Sequence, residues 1–227
     1  MPLALAHRGD WSDAPENTIA AFLAAARAGA DMVELDVRRT LDGGVAVVHD
    51  PTLERVWGSS LAVAGASLAE ISAVRVGEHR IATLEEVLRC VDLPVMVDFT
   101  RADVVEPALA VIQSADALDR VLFSGGNVEG HRLVRSLAPA ARIALTWTEP
   151  EPPPESLLAE LGVEYFNPAW ELVDEQLVES VHDRGRKVST WTVDDPAEMR
   201  RLADLGVDAI VTNRVAELVA LLAEARC

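Results

Sequence analysis

Residues 32–50, MVELDVRRTLDGGVAVVHD, hold a β-strand, a turn and a returning strand, and they decide the architecture that this sequence predicts. Side chains alternate along a strand, so Glu34 and Asp36 share one face. Taken alone, this acidic pair also fits an ordinary solvent-exposed strand face. The rest of the chain has to distinguish that interpretation from a functional one.

The turn in this stretch predicts a β-hairpin. Asp42 and the two glycines after it are typical hairpin residues, and residues 45–48 are again apolar. With the hairpin centred between Asp42 and Gly43, His49 would lie opposite Asp36. We therefore expect two carboxylates and an imidazole to converge.

On both sides of the hairpin the chain alternates between strands and helices. Glycine follows a helix and precedes a strand at four places, as a left-handed helix end requires. The predicted strands are 3–9, 32–38, 45–49, 94–99, 120–124, 141–147, 163–168, 187–193 and 208–212. One helix is predicted to begin at Asn17 or Thr18 and to stop at Gly29, two begin at the capping boxes of Ser67 and Thr83, and others span 104–114, 129–137, 155–161, 173–184, 196–205 and 214–225. Residues 51–66 are predicted to form an irregular segment.

The number of strands indicates the fold. The short connection between 32–38 and 45–49 cannot hold a crossover, so these two strands must be antiparallel. The eight remaining strands can all be parallel. The sequence thus predicts an α/β protein, a single (β/α)8 TIM-type barrel over residues 1–227 with an extra β-hairpin arm after strand two. An open doubly wound sheet is the alternative, although the chain has no Gly-rich phosphate loop.

The composition limits the partners of the protein. The net charge is −17, which disfavours nucleic acid and anionic membrane surfaces. No run of 18 apolar residues occurs, so we expect no stable membrane insertion. The first strand begins almost at Met1, which leaves no room for a signal peptide, and a cytoplasmic location is expected. Two cysteines indicate no disulfide framework, and the oligomeric state stays open.

Active sites of such barrels lie at the carboxyl ends of the strands. There the chain offers two histidines, an arginine and three carboxylates: His7, Arg8, Glu34, Asp36, His49 and Asp98. Three carboxylates suit one hard divalent cation, Mg²⁺ or Ca²⁺. Two histidines on opposite sides of a phosphorus atom can serve as general base and general acid. This combination indicates phosphodiester chemistry.

Seven segments together carry a family resemblance. They are AHRG (6–9), PENT (15–18), VELDV (33–37), VVHD (47–50), IATLEEVL (81–88), WTV (191–193) and GVDAIVTN (206–213). The chain resembles the glycerophosphodiester phosphodiesterases. The resemblance implies a TIM-type barrel, a divalent metal, and hydrolysis of a small-molecule glycerophosphodiester to glycerol 3-phosphate and an alcohol.

The resemblance also implies roles for individual residues. His7 and His49 would be the acid/base pair, and Arg8 would hold the phosphate. Glu34 and Asp36 would bind the metal.

The third metal ligand and one of the substrate contacts differ from the residues that are usual in the family. Asp98 stands where the family usually has Glu, and it keeps a carboxylate oxygen for the metal. Thr100 stands where the family has Lys, so it can donate a hydrogen bond to a phosphate but brings no charge. Trp191 can pack on the substrate or fill a barrel layer.

Two other segments depart from the family pattern. Residues 124–127 read SGGN where the family tends to have a Ser-Ser-Phe-like run, and Asn213 replaces a common Asp. Thr100 in place of Lys keeps a second function open, and Thr100 together with Asn213 keeps open a third. One is a phosphodiesterase of altered substrate, acting on a lysophospholipid or like a sphingomyelinase D. The other is a non-catalytic, phosphate-binding barrel.

Three histidines lie outside the predicted site. His79, His131 and His182 fall in loop or helical settings, and each is expected to be exposed with a structural role.

Overall fold

A computed structural model describes residues 1–224. The strands are β1 (Leu3–His7), β2 (Met32–Arg39), β3 (Val45–Val47), β4 (Arg75–Val76), β5 (His79–Arg80), β6 (Val95–Asp98), β7 (Val121–Gly125), β8 (Arg142–Trp147), β9 (Tyr165–Pro168), β10 (Lys187–Thr190) and β11 (Ala209–Thr212). β1 pairs in parallel with both β2 and β11, and this pairing closes an eight-stranded barrel. The predicted (β/α)8 barrel is confirmed, and the open sheet is excluded.

Helices connect the barrel strands. They are α1 (Ile19–Ala28), α2 (Glu54–Trp57), α3 (Leu68–Ala73), α4 (Leu84–Cys90), α5 (Val105–Ser114), α6 (Val128–Leu137), α7 (Glu155–Leu161), α8 (Glu175–His182), α9 (Pro196–Asp204) and α10 (Val215–Glu224). The last predicted helix ran to residue 225, which lies outside the described residues. No helix within residues 1–224 is both long and apolar enough to cross a membrane.

Local sequence signals set the helix ends. Thr18, not Asn17, caps α1, and its side chain accepts a hydrogen bond from the backbone of Ala21. The capping boxes that begin at Ser67 and Thr83 are both formed. Gly29 ends α1 with a φ of 91°, a left-handed conformation that costs glycine little.

The hairpin arm is present, but its predicted register is wrong by one residue. Val37 lies opposite Val47, so Asp36 does not face His49 across the ladder. Gly43 takes a φ of 86°, and the turn is a three-residue loop rather than the two-residue loop that the prediction assumed. β3 also ends at Val47, so His49 follows the strand and reaches the barrel rim from a loop.

The segment 51–66 is less irregular than predicted. It contains α2 and a 3₁₀ turn at Val63–Gly65. Trp57 and Leu53 are buried there in a small hydrophobic cluster beneath β3. The segment is therefore a packed cover on one side of the barrel mouth.

Two hydrophobic layers support the barrel. The larger one lies between the strands and the surrounding helices. The smaller one fills the barrel interior with side chains from alternating strand positions: Leu5, Met32, Met96, Leu122, Ala144, Tyr165, Ala209 and Val211. This plug closes the barrel below its carboxyl end, so polar side chains near the strand ends face an open cavity.

Candidate active site

A cavity of about 210 Å³ opens at the carboxyl ends of the barrel strands. All eight residues that the sequence singled out line it: His7, Arg8, Glu34, Asp36, His49, Asp98, Thr100 and Trp191. Their common location follows from the parallel sheet, because parallel strands end at one rim.

His7 ends β1 and is held by a chain of hydrogen bonds. Nδ1 of His7 lies 2.7 Å from Oδ1 of Asn213, and Nδ2 of Asn213 donates to Oδ2 of Asp194 at 2.7 Å. Because the amide of Asn213 turns its N–H groups to Asp194, its oxygen faces the imidazole, and Nδ1 of His7 is assigned as the donor. Nε2 of neutral His7 is then free to accept a proton. Burial, together with the nearby Arg8 charge, lowers the pKa of His7.

Three carboxylates share the cavity through the register of neighbouring strands. Glu34 lies beside His7, and Asp36 lies beside Asp98. Burial raises the pKa of Glu34 well above its usual range, and repulsion from Asp36 and Asp98 adds to the increase. Burial and the Asp36 charge raise the pKa of Asp98 to about 7, although the Ser124 hydroxyl opposes the shift. The three carboxyl groups thus repel one another in a buried site, which favours protonation of Glu34 and Asp98.

Arg8 links the carboxylates to the first loop. Its backbone N–H donates to Oε2 of Glu34 at 3.0 Å, and its Nη1 donates to Oε1 of Glu16 at 2.9 Å. Its Nε lies 3.1 Å from Oδ2 of Asp36. Burial opposes a higher pKa at Arg8, but the three surrounding carboxylates outweigh burial and raise it. Arg8 also has a φ of 59°, an unusual value for a residue other than glycine.

Asn17 positions Asp36, a role that the sequence did not reveal. The amide of Asn17 donates to Oδ2 of Asp36 at 2.8 Å and accepts from the backbone N–H of Asp36 at 3.2 Å. The backbone N–H of Asn17 in turn donates to the carbonyl of Arg8 at 3.0 Å. Asn17 is buried and left-handed, with a φ of 59°. It therefore fixes both the carboxylate and the loop that follows β1.

His49 is oriented by a second network. Its Nδ1 lies 2.6 Å from Oδ1 of Asp50, while Oδ2 of Asp50 accepts from Nε of Arg55 at 2.6 Å. Arg55 also binds Glu16 through both Nη atoms. On the backbone side, Nε of Arg38 donates to the carbonyl of His49 at 2.5 Å. The residue is fixed at its ring and at its backbone.

The cavity wall that continues from Asp98 across β7, β8 and β9 is polar, and sequence reasoning did not identify most of it. Oγ of Ser124 lies 3.2 Å from Oγ1 of Thr146, which accepts from Nδ2 of Asn167 at 3.1 Å. Nε1 of Trp191 donates to the carbonyl of Asn167 at 3.2 Å, so its indole is fixed at the rim. A sequence signal for these wall residues did exist, since each is a polar residue near the end of a buried strand.

The prediction that His131 is exposed is wrong. Its side chain is fully buried on α6, its Nε2 donates to the carbonyl of Gly125 at 2.8 Å, and its ring lies 4.9 Å from that of Phe99. Burial lowers the pKa of His131 to about 4. The other two histidines lie outside the cavity. The predicted exposure is confirmed for His182, which lies 2.8 Å from Asp208, but not for His79, which is half-buried.

The donor chemistry of the acidic trio fits a hard cation, since the groups are carboxylates whose mutual repulsion a cation would relieve. Within residues 1–224, however, no group of three or more His, Cys, Asp and Glu side chains stands in an arrangement that could hold a metal ion.

The fold and the site define a class of protein: a (β/α)8 barrel with a histidine, arginine and carboxylate site at its carboxyl-terminal rim. The chain belongs to the glycerophosphoryl diester phosphodiesterase family, whose model matches residues 7–217. The chain is 35% identical over 161 residues to a glycerophosphodiester phosphodiesterase of Caldanaerobacter subterraneus subsp. tengcongensis. That match covers 64% of this chain and 66% of the relative, slightly less than two thirds of its length.

Solved structures share the fold. A glycerophosphoryl diester phosphodiesterase from Silicibacter pomeroyi superposes with a TM-score of 0.89 at 24% identity, covering 99% of this chain and 94% of that one. A phosphodiesterase from Oleispira antarctica, solved with the product sn-glycerol-3-phosphate, gives a TM-score of 0.90 at 22% identity, covering 98% and 97%. At these identities the comparison establishes the barrel itself.

Proposed function

We propose that the protein hydrolyses glycerophosphodiesters to glycerol 3-phosphate and an alcohol, and that it requires one divalent cation, Mg²⁺ or Ca²⁺. Membership of the family supports the reaction type. The observation that carries the proposal is the single cavity lined by two imidazoles, an arginine and three carboxylates. The product bound to the Oleispira phosphodiesterase is consistent with this substrate class.

His7 and His49 are the proposed acid/base pair. Hydrolysis forms a P–O bond to an attacking oxygen and breaks the P–O bond to the alcohol, so one proton must be removed and another supplied. With its lowered pKa, His7 is neutral near pH 7, and its free Nε2 can accept a proton. Asp50 holds Nδ1 of His49, which directs the other ring nitrogen of His49 to proton transfer. Arg8 and Thr100 are proposed to bind the substrate, with Trp191 packing beside it.

Glu34, Asp36 and Asp98 are the proposed cation ligands. A bound divalent cation would polarise a phosphoryl oxygen and offset the negative charge that develops on it. Burial and mutual repulsion raise the pKa values of Glu34 and Asp98, a penalty on their charged forms that a cation would relieve, and Asn17 keeps Asp36 in a fixed orientation. The three carboxylates line the same cavity but do not form a metal site in the arrangement described for residues 1–224, so a cation would have to draw them together.

Thr100 favours a variant of this function with an altered substrate. Its short side chain is exposed at the edge of the cavity and brings no charge to the phosphate. The specificity should then depend on cationic groups elsewhere around the mouth. A non-catalytic barrel is the remaining alternative, and it predicts ligand binding without turnover.

The test is release of glycerol 3-phosphate by the purified protein from glycerophosphocholine and glycerophosphoglycerol, and of acylated glycerol 3-phosphate from a lysophospholipid. We expect release from at least one glycerophosphodiester, its loss in EDTA, and its recovery with added Mg²⁺ or Ca²⁺. His7→Ala should abolish it, whereas His79→Ala, outside the cavity, should retain it. No turnover of any diester with either ion would refute the proposal, and full activity of His7→Ala would refute the assigned role.

A cytoplasmic location stays a prediction from the sequence. Fractionation of cells that express the full chain, with detection of the protein in the soluble and envelope fractions, would test it.

A further inference from the structure

A second cavity, of about 320 Å³, adjoins the candidate active site. Thr100 lines both cavities and is the residue at which they meet. The walls of the second cavity come from the end of β2, the segment after β3 and the 3₁₀ turn at Ala102–Val104. Three of its lining side chains are arginines, Arg38, Arg39 and Arg101, and one is a carboxylate, Asp103.

The charge of this cavity is opposite in sign to the net charge of the whole protein. The chain has a net charge of −17, whereas the four charged side chains here sum to about +2 at neutral pH. Arg101 pairs with Asp103 at 3.0 Å. Within residues 1–224, Arg38 and Arg39 form no ion pair. Asp36, Asp50 and Asp103 act on the charge of Arg38 at longer range, and within the described residues the guanidinium groups of Arg38 and Arg39 have no direct carboxylate contact.

Arg38 is fixed with its terminal nitrogens available. Its Nε donates to the carbonyl of His49, which orients the guanidinium. In the part of the chain that the structure describes, its two Nη groups have no hydrogen-bond acceptor. The nearby carboxylates are engaged elsewhere, Asp36 with Asn17 and Asp50 with His49. An oriented guanidinium with free N–H groups is suited to a phosphate or carboxylate ligand.

None of the three arginines lines the cavity that contains His7 and His49. An anion bound by these arginines would therefore be a group farther along the same molecule, and not the phosphate that reacts. A diester that passes Thr100 would carry its head group into the second cavity.

We propose that Arg38 and Arg101 form an anion subsite for the leaving head group, so that the enzyme prefers glycerophosphodiesters whose head group carries a second phosphate or another anionic group. This inference rests on the proposed function and names its substrate class. Arg38 and Arg101 bind the terminal anion, and Thr100 leaves the passage open.

A matched substrate pair tests the preference. Glycerophosphoglycerol and its terminal phosphate monoester differ only in the second anion. With the wild-type protein and excess Mg²⁺, we expect kcat/KM to be about tenfold higher for the phosphorylated diester, the effect of roughly one charged hydrogen bond. Raising the salt concentration should reduce this ratio, because the subsite is open to solvent.

Variants locate the effect. Arg101→Gln and Arg38→Gln should each bring the kcat/KM ratio of the two substrates towards one. Arg38→Gln can also slow both reactions, because it releases the His49 carbonyl, so the ratio is the measurement that matters. Arg89→Gln is the matched control: Arg89 pairs with Glu85 on α4, outside both cavities, and the ratio should stay at its wild-type value.

The outcomes separate the two proposals. Equal kcat/KM for the two diesters, or a ratio unaffected in both subsite variants, would overturn the subsite while the hydrolase function stands. If neither these two diesters nor glycerophosphocholine is hydrolysed, the hydrolase function fails, and calorimetry then decides the subsite. Tighter binding of the phosphorylated diester to the wild type by about tenfold, lost in Arg101→Gln, would support it, and equal binding would refute it.

Discussion

The buried His131 makes the stability of the protein depend on pH in a way that can be calculated. Its pKa is about 4 in the folded protein, against an ordinary value of 6.5. Between these values the unfolded chain binds the proton more readily, so the stability contribution of His131 is present above pH 6.5 and is lost as the pH falls towards 4. From near pH 7.5 to near pH 5.0 the linkage relation gives a loss of about 2 kcal/mol in the free energy of unfolding.

Replacing His131 with glutamine isolates this contribution. Glutamine keeps an N–H donor for the Gly125 carbonyl but does not titrate. Asp98 acts in the opposite direction, because its pKa is raised to about 7 and the folded state binds its proton first as the pH falls. The informative quantity is therefore the difference between proteins, not the pH dependence of either one alone.

Urea unfolding at the two pH values, in EDTA, measures the effect. The wild type should lose about 2 kcal/mol more than His131→Gln on going to pH 5.0. Arg89→Gln, a surface substitution that removes no group titrating between these pH values, should lose as much as the wild type. An equal pH-dependent loss in the wild type and His131→Gln would refute the reasoning that His131 is held neutral by burial.

Three further predictions concern the site and its supports. Gly9→Ala should reduce the free energy of unfolding by about 3 kcal/mol, measured by thermal melting. The reason is that Gly9 has a φ of 85° and that an added Cβ would lie 2.7 Å from the backbone of α1. Asn213→Leu should lower kcat by about a hundredfold, measured by steady-state kinetics, because Nδ1 of His7 loses its acceptor. Thr100→Lys should lower the KM for glycerophosphoglycerol by about tenfold in the same assay, through an added charged contact to phosphate.

Each of these predictions has a contrary result. Gly126→Ala is the control for the glycine substitution, since its added Cβ meets nothing nearer than 3.5 Å. Equal melting temperatures of the two variants would remove the steric argument at Gly9. An unchanged kcat in Asn213→Leu would mean that another group sets the tautomer of His7, and an unchanged KM in Thr100→Lys would mean that position 100 does not face the phosphate.

The sequence predicted the barrel because its signals were local. Helix caps such as Ser67 and Thr83 and helix-ending glycines such as Gly29 act within a few residues of themselves, and strands between them follow from apolar runs. Once the barrel is specified, residues that end different parallel strands lie at one rim. His7 and Asp98 could be assigned to one cavity for this reason, although 90 residues separate them.

Other features depend on contacts that no local pattern encodes. The DGG turn is compatible with a two- or a three-residue loop, and the left-handed Gly43 determines the register. His131 is buried because Gly130 lets the Phe99 ring approach α6, where a Cβ would lie 2.4 Å from it. The position of Asn17 before a helix suggested a cap. Its bond to Asp36 joins two segments that are distant in the sequence, so no local pattern could reveal it.

The hydrogen bond from the backbone of Asn17 to the carbonyl of Arg8 has a consequence for how this barrel can diversify. It joins the two ends of a surface loop, and residues 11–14 project outward from this junction. Asn17, which holds Asp36, is not among the projecting residues. Trp11, at 42% exposed, belongs to this projecting part. Exchange of residues 11–14 for a Gly/Ser segment of another length should leave the melting temperature nearly unchanged. The projecting part of the loop can then be replaced to suit new substrates without moving the reactive groups.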